Sequence, residues 1–264
     1  MKYLYRLILF ITLLSIIGCG SRRVINLYGL DNSDSLIVID AGHGGHDGGA
    51  TSGGRLEKDL VLEIAHRVYN EFKNAGYRVY LTRGSDRFLT LSQRTQIADH
   101  KDAKVFISIH ANAIKNSARF NIVEGVETYF LQKTRDERSQ RIAKRENDSV
   151  LSGADELSKD VIIDSVLSGP KIIQSHKLAI DVQKNIVASL KNDYSDVLNG
   201  GVRPAPFYVL VGASRPSILV EVGYITNDKE RERLFTSSYQ KDIARGIVSG
   251  VNRYLYNRKK ELGF

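Results

Sequence analysis

The feature that most constrains the fold is the alternation of short apolar runs with amphipathic helical segments. Runs of strand length occupy residues 36–40, 78–82, 105–109, 126–131, 207–211 and 217–222, and helical patterns occupy residues 58–75, 91–100, 175–191 and 239–256. Strands that alternate with helices in this way predict one α/β domain with a mostly parallel, twisted sheet flanked by helices. We assign this domain to residues 36–258, followed by a tail at 259–264.

One long segment interrupts the alternation. Residues 132–173 begin with the charged stretch QKTRDERSQRIAKREND and continue with apolar pieces up to Gly169 and Pro170. A connection of this length inside a compact domain is uncommon and is usually functional or mobile. We therefore expect a helical insertion of one or two helices here.

The N-terminus has the pattern of a secretory signal at residues 1–18. Lys2 and Arg6 precede a mainly apolar run at residues 7–17, which is too short to cross a bilayer. The next residues, IIGC at 16–19, resemble the lipobox of bacterial lipoproteins, in which the cysteine becomes lipidated. Cys19 is the single cysteine of the chain, so the resemblance implies a lipid anchor on a membrane and a polar tether at 19–35.

Composition narrows the function classes. A single cysteine excludes a disulfide framework and a cysteine-rich zinc module. The net charge of +8 favours an anionic partner, such as nucleic acid, a membrane surface or a cell-wall polymer. The positive charges are scattered, without interleaved aromatic residues, and the signal removes the chain from the cytoplasm. Nucleic acid is therefore excluded from the expected partners.

Two histidines directly follow predicted strands. His43 lies in the glycine-rich sequence DAGHGGHDGG, and His110 lies in SIHAN. Sites in open α/β sheets form at the carboxyl ends of strands, so the two imidazoles can converge on one ion. Glu57, fourteen residues after His43, could complete a two-histidine, one-carboxylate zinc set with an open fourth position.

A general base is also available on another strand. Glu221 interrupts an otherwise apolar run, where a carboxylate is costly unless it is paired or functional. From there it could take a proton from a zinc-bound water and pass it to a leaving amine. Spacing alone leaves structural alternatives open, because either histidine could be a satisfied structural residue and Glu221 could be a half-buried ion-pair partner.

Seven short motifs occur in one order along the chain: IVIDAGHGG at 37–45, EKDL at 57–60, YLTR at 80–83, LSQR at 91–94, SIHAN at 108–112, PFYVL at 206–210 and VEVGYITN at 220–227. In these motifs the chain resembles the type 3 family of zinc-dependent N-acetylmuramoyl-L-alanine amidases, which are bacterial cell-wall hydrolases. The resemblance runs from about residue 36 to residue 255 and implies a phosphorylase/hydrolase-like fold.

The resemblance implies a reaction and a set of site residues. The reaction is hydrolysis of the amide between N-acetylmuramic acid and L-alanine of the peptidoglycan stem peptide, on the periplasmic face of a bacterial envelope. The implied zinc ligands are His43, Glu57 and His110, with Glu221 as the catalytic carboxylate. Four further residues match family positions and are either substrate contacts or structural: Arg83, Arg94, Asn112 and Asn227.

The insertion resembles a segment found in family members that act in cell division. There an extra helix covers the zinc site until a partner protein displaces it, and a glutamate of that helix can occupy the open zinc position. The resemblance implies an autoinhibitory insertion at 132–173, with Glu146 as the candidate metal contact and an activator protein as partner.

Two alternatives from other classes stay open. A zinc carboxypeptidase acting on stem peptides would share the sheet and the metal, although the order of the motifs argues against it. A non-catalytic peptidoglycan-binding lipoprotein is the other. Such proteins commonly lack a metal ligand or the catalytic glutamate, and all four residues are present here.

Overall fold

A computed structural model describes residues 32–148 and 169–263. A six-stranded sheet, with strand order β4-β1-β5-β8-β6-β7, forms its centre. The strands of this sheet, together with the two-stranded β2-β3 hairpin, are β1 (Leu36–Ala41), β2 (Thr51–Ser52), β3 (Arg55–Leu56), β4 (Arg78–Leu81), β5 (Val105–Asn112), β6 (Val126–Leu131), β7 (Asn199–Ala205) and β8 (Ser217–Tyr224). The helices are α1 (Glu57–Asn74), α2 (Leu91–His100), α3 (Glu137–Asp148), α4 (Gly169–Lys191), α5 (Asp228–Leu234) and α6 (Ser237–Glu261).

The direction of the strands decides where a site can form. Strands β4, β1, β5 and β8 run parallel, whereas β6 pairs antiparallel with β8 and parallel with β7. The carboxyl ends of β1, β5 and β8 and the amino end of β6 therefore lie at one edge. In this register His110 pairs with Glu221, and Glu221 pairs with Glu127. The predicted mostly parallel α/β sheet is confirmed.

Apolar side chains of the strands alternate between the two faces of the sheet. Helices α1, α4 and α6 pack on one face, where Ile37, Ile107 and Val220 belong to the larger apolar cluster. Helices α2 and α3 contribute to a smaller cluster on the other face, with Val38 and Leu219. Both faces are covered, which explains why the central strands read as continuous apolar runs rather than as alternating ones.

One predicted strand is wrong, and the sequence analysis misses one strand of the central sheet. The apolar run at 207–211 contains a 3₁₀ turn, Tyr208–Leu210, whose apolar residues fill the smaller cluster. The actual strand, β7, comes just before it with the sequence NGGVRPA. Glycine and proline are depleted in strands, and this composition is tolerated because β7 lies at the edge of the sheet.

The structure describes only the two ends of the predicted insertion at 132–173. Helix α3 lies within it, and residues 149–168 fall outside the described residues. Helix α4 begins at Gly169, so the last five residues assigned to the insertion belong to a helix of the domain core. Helix α6 likewise runs to Glu261, into the predicted tail.

The predicted signal at 1–18, Cys19 and the tether up to residue 31 also lie outside the described residues. In the part of the chain that the structure describes, no helix combines the length and the apolar character needed to cross a membrane.

Candidate active site

The loop after β1 carries His43 in a constrained backbone conformation. His43 has a φ of 58°, in the left-handed region that non-glycine residues rarely adopt. Such backbone persists only where surrounding structure fixes it, and it clusters at functional sites. Here two buried arginines fix it through the loop carbonyls.

Arg83 and Arg94 donate into this loop rather than into solvent. Arg94 donates to the carbonyl oxygens of Ala41 and His43, each at 2.7 Å. Arg83 donates to Ala41 at 2.9 Å and to Gly42 at 2.7 Å. Their side chains are buried, so of the two roles suggested by the sequence, the geometry fits the structural one.

Three ligand-type side chains meet at the carboxyl edge of the sheet. Nε2 of His43 lies 3.1 Å from Oε1 of Glu57, and Nδ1 of His110 lies 3.3 Å from the same oxygen. Neither ring nitrogen makes a hydrogen bond of normal geometry with a described residue, although both are buried. Buried polar atoms are normally satisfied, so the convergence of these nitrogens fits a site for a bound cation.

Glu57 is positioned from two directions. It is the first residue of α1, and its carboxylate accepts hydrogen bonds from the backbone N–H groups of Ala50 and Ala111, each at 2.9 Å. Ala111 follows His110 in β5, so one carboxylate joins the loop that carries His43 to the strand that carries His110.

Asp47 is a residue that sequence reasoning missed. Its Oδ2 lies 2.9 Å from Nδ1 of His43, and its Oδ1 accepts from Gly49 N–H at 3.0 Å. A carboxylate on Nδ1 fixes the ring so that Nε2 faces the cluster, and metal-binding histidines commonly have such a partner. The only sequence signal was an aspartate four residues after His43 in the same glycine-rich loop.

Helix α3 places Glu146 against the same ring nitrogens. Its Oε2 lies 3.1 Å from Nε2 of His43 and 3.1 Å from Nδ1 of His110. One ligand-type atom from each of His43, Glu57, His110 and Glu146 lies within 4.8 Å of the others, and all four residues are buried. The structure thus brings together the three predicted ligands and the predicted contact of the insertion.

The charges of the cluster favour a cation at its centre. Burial favours neutral imidazoles, but the carboxylates of Glu57 and Glu146 oppose it and raise the pKa of His43 above its usual range and that of His110 to about 9. Burial would raise the pKa of Glu57, but His43 lowers it. A site of this kind binds protons or a divalent cation, and two histidines with carboxylates are a donor set that suits zinc.

Glu221 lies next to the cluster without belonging to it. It is fully buried, and neither carboxylate oxygen makes a hydrogen bond with a described residue. Burial and the nearby charge of Glu146 raise the pKa of Glu221 to about 8, against the opposing effect of Arg145, whose Nη2 is 3.8 Å away. A buried carboxylate with a raised pKa beside a cation site has the properties of a general base and acid.

Glu127 is the second carboxylate that sequence reasoning missed. It accepts hydrogen bonds from Asn112 at 3.2 Å and Tyr129 at 2.9 Å, and it pairs with Arg138 of α3 at 2.7 Å. The signal was a glutamate in the apolar run VETYFL. Glu127 therefore links the floor of the site to α3.

The two predicted asparagines have different positions. Asn112 accepts from Arg145 at 3.3 Å and donates to Glu127, so it lies at the border of the site. Asn227 accepts from Glu230 N–H at 3.1 Å and caps α5, outside the cluster. The cap gives Asn227 a structural explanation.

Comparison with known proteins shows which proteins this chain is similar to. The model of the N-acetylmuramoyl-L-alanine amidase family matches residues 37–253. AmiA of Escherichia coli, an N-acetylmuramoyl-L-alanine amidase, is 31% identical over 84% of this chain and 76% of its own length. A solved amidase from Clostridium difficile 630 has a TM-score of 0.65 and 31% identity over 84% of this chain and 97% of that one.

A second solved structure is the CwlD amidase of Clostridioides difficile in complex with the GerS lipoprotein. It has a TM-score of 0.62 and 26% identity, and the match covers 84% of this chain and 98% of that one. With a family match across nearly all the described residues and a relative above 30% identity, the chain belongs to the N-acetylmuramoyl-L-alanine amidase family of peptidoglycan hydrolases.

Proposed function

We propose that this protein is a zinc-dependent amidase that hydrolyses the bond between N-acetylmuramic acid and L-alanine of the stem peptide. The observation that carries the proposal is the convergence of His43, Glu57 and His110 on one point beside Glu221. These three residues would hold the ion. When bound, zinc would polarise the scissile carbonyl and make a water molecule more acidic.

Glu221 performs the proton transfers in this proposal. Its raised pKa suits a group that takes a proton from the attacking water and returns it to the leaving nitrogen of L-alanine. Its place on β8, opposite His110, puts it within reach of a substrate carbonyl that is held at the cluster.

The products of peptidoglycan digestion test the reaction. We expect free stem peptides that begin with L-alanine, detected by mass spectrometry after incubation with added zinc. We expect Glu221→Gln to retain zinc and to lose about 10²–10⁴-fold in rate. Release of a terminal amino acid instead would indicate a carboxypeptidase. The absence of any product from zinc-loaded protein, including the Glu146→Gln variant, would favour a binding lipoprotein.

We also propose that α3 inhibits the enzyme by occupying the substrate position at the metal. Glu146 supplies a carboxylate where a substrate oxygen would bind, and Arg145 donates to Ala113 O at 2.7 Å beside Glu221. Further along α3, Asn147 donates to Pro206 O at 3.0 Å and accepts from Tyr208 N–H at 2.9 Å. The helix is therefore bound on both sides of the site.

Displacement of α3 needs a partner that binds the open form better. Opening breaks the Arg138–Glu127 ion pair and exposes Ile142, which is 7% exposed in the smaller apolar cluster. A shift from 1% to 99% open requires a differential affinity of about 5.5 kcal/mol. The CwlD–GerS complex supports the idea that amidases of this family bind protein partners.

The rate of zinc removal tests the inhibitory contact. A chelator should strip zinc about tenfold or more faster from Glu146→Gln than from wild type, since the charged carboxylate ligand is lost. Glu137→Gln is the matched control, because Glu137 lies on the same helix with its side chain 87% exposed. Equal rates for all three proteins would exclude Glu146 as a metal contact.

We further propose that Cys19 anchors the enzyme to a membrane on the periplasmic side of the cell envelope, where it acts in cell separation. Its support is the signal-like sequence and the lipobox at residues 16–19. Cys19→Ala should move the protein from the membrane fraction to the soluble periplasmic fraction. An unchanged membrane fraction would contradict lipidation.

A further inference from the structure

A cavity with a strongly cationic lining lies between α3 and the segment that follows β5. Its volume is about 620 Å³, within the range of sites that bind small ligands. Six basic side chains line it: Lys115, Arg119, Arg138, Arg141, Lys144 and Arg145. Of the described residues that line it, Asp148 alone carries a carboxylate.

The basic side chains differ in how they are engaged. On α3, Arg138 pairs with Glu127 at 2.7 Å and Lys144 pairs with Asp148 at 2.9 Å. Lys115 and Arg119 belong to the body of the domain, are exposed and make no ion pair with another described residue. These two charges therefore stay in place, and stay available to a ligand, when α3 moves.

Two of the residues that line the cavity connect it to Glu221. Arg145 lines the cavity and lies 3.8 Å from Glu221. Tyr224 also lines it and follows Glu221 by three residues on β8. Asp47 and Phe207 line a separate small cavity beside His43, so the two sides of the cluster are chemically different.

We propose that Lys115 and Arg119, on the wall of the cavity that remains when α3 is displaced, bind the carboxylates of the stem peptide and determine specificity for them. The inference rests on the proposed function. The group that protonates the leaving nitrogen must lie on the peptide side of the scissile bond, so the peptide leaves the cluster past Glu221. The stem peptide carries carboxylates on its glutamate, on its diamino acid and at its terminus, whereas the glycan is neutral. A basic subsite therefore fits the peptide half of the substrate.

Two soluble muropeptides test the subsite: one in which the carboxylates of the peptide are free, and a counterpart in which all of them are amidated. In the Glu146→Gln background, we expect Lys115→Gln/Arg119→Gln to raise KM for the acidic muropeptide about tenfold, with little change in kcat. The KM for the amidated muropeptide should change by less than about twofold. Lys184→Gln/Lys191→Gln, which removes two exposed charges from α4, is the matched control and should change neither value.

Calorimetric binding of the free stem peptide provides a readout that does not depend on turnover. We expect the same double substitution to weaken this binding about tenfold. If no variant hydrolyses either muropeptide, the proposed function fails, and peptide binding alone decides the subsite. Equal KM values for the two muropeptides in the protein with Lys115 and Arg119 intact, or unchanged peptide binding, would overturn the proposal. An effect confined to activation by a partner protein would assign the cavity to a protein interface and overturn it as well.

Discussion

Gly42→Ala tests whether the close approach of the loop to His110 positions a metal ligand. A methyl group on Gly42 would lie 2.4 Å from Cε1 and 2.5 Å from Nε2 of the His110 ring. Ordinary contact begins at about 3.4 Å, so one group must move by about 1 Å. The loop is held, because Gly42 N–H donates to Ile109 O at 3.1 Å and Arg83 donates to Gly42 O at 2.7 Å. We therefore expect the His110 ring to move.

The size of this displacement sets the expected effect. Overpacking of this kind costs about 1–3 kcal/mol, which is less than the total stability of about 5–15 kcal/mol, so the variant should fold. A ligand displaced by about 1 Å should lower zinc affinity by about 10–100-fold and kcat/KM by about 100-fold. Zinc affinity is measured by competition with a chromogenic chelator, and the rate is measured on purified peptidoglycan in the Glu146→Gln background.

Gly48→Ala is the control for Gly42→Ala. Gly48 lies in the same loop, and a methyl group there would be 3.6 Å from Leu56, an ordinary contact. We expect Gly48→Ala to bind zinc with the same affinity, and to hydrolyse peptidoglycan at the same rate, as the protein that retains Gly48. If Gly42→Ala folds, binds zinc as tightly as the protein that retains Gly42 and keeps its rate, then the loop does not position His110.

Two further predictions concern carboxylates outside the three proposed ligands. Asp47→Asn should lower zinc affinity by about 10–100-fold in the same competition assay, because the partner on Nδ1 of His43 loses its charge; unchanged affinity would exclude this role. Burial raises the pKa of Glu230 to about 7, so the folded state holds a proton that the unfolded state has already lost. The contribution of Glu230 to the free energy of unfolding should therefore fall by about 3 kcal/mol between about pH 4.5 and pH 7. Urea unfolding at both ends of this pH range should show that the free energy of unfolding changes less favourably with pH in wild type than in Glu230→Gln. Glu232→Gln is the control, because its side chain is 66% exposed, and it should match wild type. Identical pH profiles for all three proteins would contradict the assigned pKa.

The sequence located the two histidines because one rule of parallel sheets applied to both. His43 and His110 each follow an apolar run, and the carboxyl ends of parallel strands share an edge. Glu57 was found by its position before an amphipathic helix, and Glu221 by its presence in a buried strand. The structure brings these residues together through the register of β5 and β8.

The features that the sequence does not predict depend on contacts between segments that are distant in the chain. In the sequence, Glu127 is not distinguishable from any other polar residue in a strand. Its position beside Glu221 follows from the antiparallel pairing of β6 with β8. Strand β7 was missed because its glycines and proline argue against a strand, and the run at 207–211 was assigned wrongly because a buried turn can be as apolar as a strand. Composition alone does not distinguish these cases.

The rate of stem-peptide release from purified peptidoglycan, with zinc added, tests the central claim most directly. The comparison is between wild type, Glu146→Gln and Glu137→Gln, with peptides beginning with L-alanine measured by mass spectrometry. We predict that Glu146→Gln releases these peptides at least about tenfold faster than wild type and that Glu137→Gln matches wild type. Equal release by all three proteins would contradict inhibition by α3, and release of no such peptide by any of them would contradict the amidase itself.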